Sequence, residues 1–423
     1  MSAGVGGEPG GRGPDPVAER SAPARTPLSR VPGPAGRGAA GTAFDALASA
    51  VARSPLERVQ VVAWRDLDDP EAGGSELHVH RIASLWAAAG LDVTVRTSAV
   101  AGQPAVVERQ GYRVVRRSGR YAVFADTAWR GLRHEVGPGE ALVEVWNGMP
   151  FFSPLWYRGP RLVFLHHVHA EMWHMVLPGT LGRMGETVER RIAPPLYRRS
   201  RVVTLSESSR REIVDMLGIP ASHISVSPPG VDPMFSPGGT RSPVPLVVAL
   251  GRLVPVKRFD RLIEALVVAK RSLPTLRAVI VGEGYERSNL EDLVRRRGAE
   301  GWLELPGYLA GDDVLDWYRS AWVVASASQR EGWGMTLTEA GACGTPAVAT
   351  DIAGHRDAVI DGRTGLLVAD PADLGPALAG LLTDRPRRLE MGRAAFDRSR
   401  WFTWEATARS TFDALDAEAG RRR

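Results

Sequence analysis

The most informative segment of the chain reads Glu331-Gly332-Trp333-Gly334-Met335-Thr336-Leu337-Thr338-Glu339-Ala340. An apolar run at residues 322–325 precedes it and a predicted helix begins within it, so the segment is a strand-to-helix turn. Gly332 and Gly334 allow the backbone to approach a ligand closely, and free N–H groups at a helix start face an anion. The two glutamates would then lie at one mouth, where they can bind sugar or ribose hydroxyls. A plain turn with a capping glutamate explains this segment alone equally well.

On both sides of this segment, short apolar runs alternate with amphipathic stretches from residue 58 onward. Strands are predicted at residues 58–64, 91–97, 112–116, 141–146, 161–166, 201–206, 246–250, 278–281, 303–305, 322–325, 347–349 and 365–368. Helices are predicted at residues 75–89, 259–271, 287–297, 313–320 and 335–343. Apolar strands separated by helices are typical of parallel sheets covered on both faces. The sequence therefore predicts an α/β fold with two doubly wound Rossmann-like domains that face each other across a cleft.

Composition shifts mark the expected boundaries along the chain. The predicted segments are a disordered extension at residues 1–55, a first domain at 56–235, a second domain at 244–400 and a C-terminal helix with a basic tail at 401–423. The extension is rich in Gly, Pro, Ala and Arg and cannot bury enough apolar surface to offset its ordering entropy. The extension could contain a short helix at residues 44–51. The Pro/Gly-rich stretch at residues 228–243 is interpreted as a linker.

The overall composition excludes several classes of protein. The 423 residues are 44% hydrophobic and 24% charged, with a formal net charge of +5, which excludes a collagen-like, wholly disordered or disulfide-rich chain. The single cysteine, Cys343, excludes an internal disulfide and fits a reducing compartment. No apolar run reaches the roughly 18 residues of a membrane-spanning helix. Because the N-terminus also lacks a secretory signal, we expect a cytoplasmic protein.

Arginine clusters lie at residues 190–191, 198–201 and 295–297. Aromatic residues do not interleave them as a stacking platform for bases would require, so no nucleic-acid partner is predicted. The simpler interpretation is that these arginine clusters lie on solvent-exposed surfaces. The first two clusters leave open a peripheral contact with an anionic surface at the inner face of the cell membrane.

A second segment reads Leu250-Gly251-Arg252-Leu253-Val254-Pro255-Val256-Lys257 and follows the first predicted strand of the second domain. Its glycine provides the turn, and Arg252 and Lys257 are placed to converge on a diphosphate. Lys257 is one of only two lysines in the chain. The segment therefore favours an anion-binding function for the mouth that the glutamates share.

Together these motifs resemble those of the family 4 retaining glycosyltransferases. The resemblance rests on a G-R-x-x-x-x-K segment that ends at Lys257 and on the two glutamates separated by seven residues. Further matches lie at residues 73–76, 227–232, 282–284, 344–348 and 361–368. Pro229 stands where the family has asparagine. The resemblance covers residues 58–400 and implies a GT-B fold, in which residues 401–423 form a helix that crosses back to the first domain.

The resemblance also implies a function and site residues. The chain would transfer a hexose-type sugar, with retention, from a UDP- or GDP-linked donor to an unidentified acceptor hydroxyl, without a metal or other cofactor. The implied catalytic residues are Arg252, Lys257, Glu331 and His166. The implied donor-binding residues are Gly251, Gly282, Gly284, Gly332, Trp333, Gly334, Met335, Thr336, Leu337 and Glu339. The implied acceptor and phosphate loop is Gly73, Gly74 and Ser75.

Other interpretations were weighed against this one. Asp66-Leu67-Asp68 matches a metal-binding D-x-D triplet, although short acidic triplets are common by chance. His166-His167-Val168-His169 with His174 suggests zinc, but no paired cysteine or H-E-x-x-H motif accompanies it, so structural or substrate-contact histidines are the simpler interpretation. Aromatic residues at 146–157 could form an acceptor platform, a lip touching a membrane, or simply core. Two alternatives remain for the whole chain, namely an NAD(P)-dependent oxidoreductase with two Rossmann domains and a non-catalytic sugar-nucleotide-binding subunit. The Gly282–Arg287 segment supplies only two of the three glycines that dinucleotide binding needs.

Overall fold

The computed structural model describes residues 39–133, 135, 141–177 and 179–422. Within them, strands form two separate sheets, one in each half of the chain. Helices connect successive strands, as the alternation of apolar runs and amphipathic stretches predicts. The predicted α/β class with two doubly wound domains is therefore confirmed.

The first sheet has eight strands among the described residues. They are β1 (Arg58–Val62), β2 (Asp92–Thr97), β3 (Val106–Arg109), β4 (Tyr112–Arg116), β5 (Ala141–Val145), β6 (Arg161–Phe164), β7 (Arg201–Thr204) and β8 (Ile224–Val226). Their order is β3-β4-β2-β1-β5-β6-β7-β8, and only the β3–β4 pair is antiparallel. All five residues of β5 are buried, as expected for a central strand covered on both faces.

Helices cover both faces of this sheet. They are α1 (Ala39–Arg53), α2 (Gly74–Ala88), α3 (Ala122–Leu132), α4 (Ser153–Trp156), α5 (Met172–Val176), α6 (Gly179–Thr187), a π-helical turn (Val188–Ile192), α7 (Ala193–Tyr197) and α8 (Glu207–Leu217). The Glu76 carboxylate accepts a hydrogen bond of 2.8 Å from the Gly73 backbone N–H. This bond fixes the start of α2 at the edge of the sheet where strands end.

The second sheet has six parallel strands among the described residues. They are β9 (Leu246–Leu250), β10 (Arg277–Val281), β11 (Leu303–Gly307), β12 (Val323–Ser326), β13 (Ala347–Thr350) and β14 (Gly365–Val368). Their order across the sheet is β11-β10-β9-β12-β13-β14. Strand order reverses between β9 and β12. In open parallel sheets, ligands bind at the carboxyl ends of strands beside such a reversal.

Eight α-helices follow β9 among the described residues, and all but the last belong to the second domain. They are α9 (Phe259–Ser272), α10 (Arg287–Arg296), α11 (Asp312–Ser320), α12 (Met335–Ala342), α13 (His355–Ala358), α14 (Leu374–Thr383), α15 (Arg385–Ser399) and α16 (Trp404–Arg421). The last of these, α16, packs on α2, β6 and β7 of the first domain. Phe412 is fully buried there, and the Trp86 indole N–H donates a 2.9 Å hydrogen bond to the Ala408 carbonyl.

Part of the predicted N-terminal extension is ordered. Disorder was expected to residue 55, with a short helix at residues 44–51 left open. Residues 39–53 form α1, so that helix is present and longer than expected, and the expected disorder is wrong there. Leu47 and Val51, one helical turn apart, are buried as α1 packs against α16. A few apolar residues on one side of α1 are enough to order this helix because α16 packs on that side. Composition alone does not predict such a packing partner. The residues before Ala39 lie outside the described part of the chain.

Candidate active site

Two glycine turns build the floor of the site at the ends of β9 and β10. The Gly251 backbone N–H donates to the Val281 carbonyl at 3.0 Å, and the Leu253 N–H donates to the Glu283 carbonyl at 2.8 Å. A Cβ atom on Gly282 would lie 1.9 Å from the Gly251 oxygen, and one on Gly284 would lie 2.2 Å from the Leu253 oxygen. No side chain fits at either position, so the two turns stack backbone on backbone.

Lys257 and Glu331 meet above this floor. Lys257 ends a 3-10 turn after β9 (Pro255–Lys257), and its ammonium group donates to the Glu331 carboxylate. Ser328 donates a second hydrogen bond to the same carboxylate oxygen at 2.9 Å. Burial would raise the pKa of Glu331, but the Lys257 charge and these hydrogen bonds hold that pKa below its ordinary value. Glu331 is therefore an ionised acceptor at neutral pH.

The segment after Glu331 turns sharply into α12. Gly334 caps this helix with a φ of 103°, which favours glycine. A Cβ on Gly332 would lie 2.7 Å from the backbone oxygen of His166. His166 follows β6 of the first domain, so the two domains touch at this glycine. The N–H groups of the first turn of α12 face the same mouth and suit an anion.

Glu339 lies one turn inside α12, between that helix and α11. The Tyr318 hydroxyl donates a 2.8 Å hydrogen bond to its carboxylate. Burial raises the pKa of Glu339 to about 7, and the nearby Asp232 charge acts in the same direction. Glu339 therefore changes its protonation state near neutral pH, unlike Glu331.

The Gly73-Gly74 loop of the first domain lies directly on the second domain. A Cβ on Gly73 would lie 3.4 Å from Arg252 Nε, and one on Gly74 would lie 3.1 Å from Met335 Sδ. The Arg252 guanidinium also donates to the Glu71 carbonyl at 3.3 Å. Because α2 begins at Gly74, the start of a 15-residue helix faces Arg252. The structure thus brings the predicted phosphate loop and the predicted cation together.

The His166 side chain is buried rather than open to the cleft. The residue is 4% exposed, and its Nε2 lies 3.1 Å from Nδ1 of His78 on α2. Burial lowers the pKa of His166 to about 4, so the ring is neutral at pH 7. Its backbone oxygen, not its ring, is the atom next to Gly332.

Three cleft residues were not predicted as site residues from the sequence, namely Arg65, His167 and His169. Burial lowers the pKa of His169 to about 3, and the charges of Arg330, Arg65 and Arg252 add to this effect. Burial likewise lowers the pKa of His167, with smaller contributions that include Lys257. Arg65 is buried between the carboxylates of Glu71 and Glu76. All three follow strand ends of the first sheet, a positional signal that the sequence does carry.

The two metal interpretations fit this geometry poorly. Asp66 is buried against Arg109, Arg116 and His80, whose hydrogen bonds outweigh burial and hold its pKa well below the ordinary range. The rings of His167 and His169 stack on each other 4.9 Å apart. Across the described residues, no group of three or more His, Cys, Asp or Glu side chains is arranged to hold a metal ion.

The remaining sequence features take structural roles. Trp146, Phe151, Trp156 and Tyr157 are buried in the first domain, which supports core packing over an acceptor platform. Burial raises the pKa of Cys343 to about 12, so this thiol is unsuited to nucleophilic chemistry. No helix in the described ranges is long and apolar enough to cross a membrane.

Comparisons with known proteins give the family of the chain. The family model described as Glycosyltransferase Family 4 matches residues 72–235, and Glycosyl transferases group 1 matches residues 233–398. A D-inositol 3-phosphate glycosyltransferase of Kineococcus radiotolerans is 30% identical over 421 residues, covering 86% of this chain and 95% of the relative.

Solved structures show the same fold at lower identity. Sucrose-phosphate synthase from Thermosynechococcus elongatus superposes with a TM-score of 0.71 and 21% identity, over 84% of this chain and 98% of its own. Anabaena HepE, solved with UDP and glucose, superposes with a TM-score of 0.65 and 19% identity, over 85% and 100%. These matches confirm the GT-B fold. With two adjoining family models and a relative aligned over most of both chains, this chain belongs to the family 4 glycosyltransferases and is a nucleotide-sugar-dependent glycosyltransferase.

Proposed function

We propose that the chain transfers a hexose from a UDP- or GDP-linked donor to an acceptor hydroxyl, with retention and without a metal ion. The observation that carries this proposal is the pairing of Lys257 with Glu331 beside two glycine turns and the start of α12, with Arg252 facing the Gly73 loop at the same mouth. In this proposal the second domain binds the nucleotide sugar and the first domain supplies the acceptor side.

Each predicted residue has a proposed role. Arg252 and Lys257 bind the diphosphate, Glu331 binds sugar hydroxyls and Glu339 binds the ribose hydroxyls. Backbone groups contact the donor along two segments, whose members are Gly251, Gly282 and Gly284 in the floor and Gly332, Trp333, Gly334, Met335, Thr336 and Leu337 around the start of α12. Gly73, Gly74 and Ser75 approach the phosphate and the acceptor. His166 lies beside the transferred sugar in this proposal, which the position of its backbone oxygen next to Gly332 supports.

The chemistry follows from where charge develops. The bond between the sugar C1 and the phosphate oxygen breaks, and its electron pair remains on the departing diphosphate. Fixed cations and N–H dipoles stabilise that charge and lower the barrier. The acceptor oxygen attacks C1 on the face that the diphosphate leaves, and its proton passes to a phosphate oxygen. The configuration at C1 is therefore retained without a carboxylate nucleophile.

A phosphorylated inositol is the acceptor class that we propose to test first. The matched relative carries a name that specifies inositol 3-phosphate. In this chain, Arg65 lies near Arg252 where the two domains meet, although Glu71 and Glu76 already pair with it. Two guanidinium groups close together suit a phosphate group on the acceptor. Cytoplasmic location remains a prediction.

The test is a transfer assay in EDTA with UDP-glucose, UDP-N-acetylglucosamine and GDP-mannose as separate donors and inositol 1-phosphate or 3-phosphate as acceptor. NMR of the product reads the configuration at C1. We expect one donor to give an α-linked product in EDTA. An inverted product would overturn the retaining mechanism, and activity that appears only with Mn²⁺ or Mg²⁺ would overturn metal independence. If neither acceptor reacts but the donor is slowly hydrolysed, the acceptor proposal fails and the donor proposal stands.

A further inference from the structure

An exposed apolar stripe runs along one side of the first domain. The helical segment from Gly179 to Tyr197 is continuous through α6, the π-helical turn and α7. Leu181, Met184 and Ile192 on this segment are 48%, 56% and 50% exposed. Residues spaced three, four and seven or eight apart share one side of a helix, so these side chains form a single stripe.

The opposite side of the segment is anchored in the protein. Gly182 and Gly185 pack against α5, where a Cβ on Gly185 would lie 2.4 Å from the Trp173 ring. The buried Glu189 carboxylate accepts hydrogen bonds of 2.8 and 3.0 Å from the backbone N–H groups of His169 and Ala170. The direction of the apolar stripe is therefore fixed outward, and its exposure does not follow from a loose helix.

Five exposed arginines border the stripe. They are Arg183, Arg190, Arg191, Arg198 and Arg199. Arg190 pairs with Glu186 at 3.0 Å. The other four have no carboxylate within ion-pair distance among the residues that the structure describes. A basic border beside an exposed apolar helix face is the pattern of helices that lie in the interface of an anionic bilayer.

The apolar surface continues onto neighbouring helices. α7 packs against α4, and α4 packs against α3. Leu155 on α4 is 63% exposed, and Trp129 and Leu132 on α3 are 59% and 58% exposed. Arg133 lies over the Trp129 ring, 5.1 Å from its centre. Tryptophan and arginine together are suited to the headgroup region of a bilayer.

We propose that the face formed by α6, the π-helical turn and α7 docks on an anionic lipid surface, and that α3 and α4 extend the contact. A second copy of the chain fits less well, since a two-fold contact would set the unpaired arginines against each other. On its inner side α6 packs on α5, and α5 packs on the Pro255–Lys257 turn. Docking would therefore hold the mouth of the cleft close to the lipid headgroups. This inference does not depend on the identity of donor or acceptor.

The test is co-sedimentation of the full chain with vesicles of phosphatidylcholine, with and without phosphatidylglycerol, at low and high salt. Each arginine near an anionic surface contributes about fivefold to binding. We therefore expect the triple variant R191E/R198E/R199E to bind at least about a hundredfold more weakly. R295E/R296E/R297E makes the same charge change on the second domain and should bind as the wild type does. L181S/M184S should also weaken binding, whereas L389S on α15 should not.

Circular dichroism and donor hydrolysis verify that each variant is folded without requiring membrane binding. The proposal is overturned if the wild type does not bind vesicles that contain phosphatidylglycerol. It is also overturned if both triple variants lose vesicle binding equally, since the change in net charge alone would then explain the loss. It is also overturned if light scattering shows a dimer that L181S/M184S dissociates, because a second copy would then be the occupant. Loss of vesicle binding with transfer activity intact would leave the proposed function untouched.

Discussion

The two walls of the cleft differ in how they are built. The second-domain wall, from Gly251 to Lys257 and from Glu331 to Glu339, carries the partly exposed ion pair of Lys257 with Glu331. The first-domain wall carries the histidines 78, 166, 167 and 169, whose pKa values burial lowers, so they are neutral at pH 7. One wall presents Lys257 and Glu331 to a ligand, whereas the histidines behind the other wall are buried and neutral. The difference teaches that charge at this site is concentrated where the diphosphate is proposed to bind.

The largest expected effect tests the charged wall. Lys257→Ala and Arg252→Ala should each lower kcat about a hundredfold, because losing one group that stabilises developing charge costs about 3 kcal/mol. The measurement is product formation under saturating donor. Lys270→Ala removes the other lysine, which lies over the Trp302 ring away from the site, and should change kcat little. Turnover within about threefold of wild type for both site variants would contradict the assignment.

A second change tests the contact between the walls. Gly332→Ala places a Cβ 2.7 Å from the His166 backbone oxygen, so one wall must move. Because small misplacement of reacting groups is costly, we expect kcat to fall by about tenfold or more. Nucleoside diphosphate affinity should change less, since the second domain alone carries the two cations. Gly380→Ala, where a Cβ meets nothing within 4 Å, is the control. Equal loss in both variants would mean that the contact has no special role.

The neutral wall should respond to acid through folding. Burial lowers the pKa of His166 from 6.5 to about 4. In the unfolded chain His166 is therefore protonated below about pH 6.5, whereas in the folded chain it is protonated only below about pH 4. The free energy of unfolding falls as the pH drops through this window. The unfolding constant should rise by up to tenfold per pH unit from this residue. His166→Asn should reduce the fall of urea-unfolding stability between pH 6.5 and 4 by this residue's share, relative to His223→Asn, a half-buried control near the surface. Parallel curves would contradict the neutral wall.

The smallest expected effect concerns Glu339. Its pKa is raised to about 7 by burial, so its ionised fraction falls about tenfold from pH 8 to pH 6. An ionised carboxylate accepts hydrogen bonds from ribose hydroxyls better than a carboxylic acid does, so nucleotide affinity should fall in parallel by at most that factor. Calorimetric titration measures it. Glu339→Gln should bind weakly with little pH dependence, and an unchanged pH dependence in that variant would exclude Glu339 as the source.

How much the sequence predicts also differs between the walls. In the second domain, all six strands were predicted within two residues of their ends, because each is an apolar run bounded by turn residues. Arg252 and Lys257 were predicted to converge on a diphosphate beside Glu331, and the structure pairs Lys257 with Glu331. Their catalytic roles stay predictions.

The first domain was harder to predict. The edge strands β3 and β8 have only four and three residues, too few for a periodic pattern. The contact of His166 with His78 joins residues 88 positions apart, and no local pattern encodes such a pair. α1 is ordered by α16 from the far end of the chain. These features depend on tertiary packing, which spacing along the chain does not report.

The most direct measurement of the central claim is thermal unfolding with UDP, GDP, ADP or NADH in EDTA, for the wild type and Arg252→Ala. A nucleotide at 100 times its Kd stabilises the folded state by about 2.7 kcal/mol. We predict that one nucleoside diphosphate raises the Tm of the wild type and that Arg252→Ala loses most of the shift. No shift with any nucleoside diphosphate, or a shift with NADH alone, would contradict the proposed donor site.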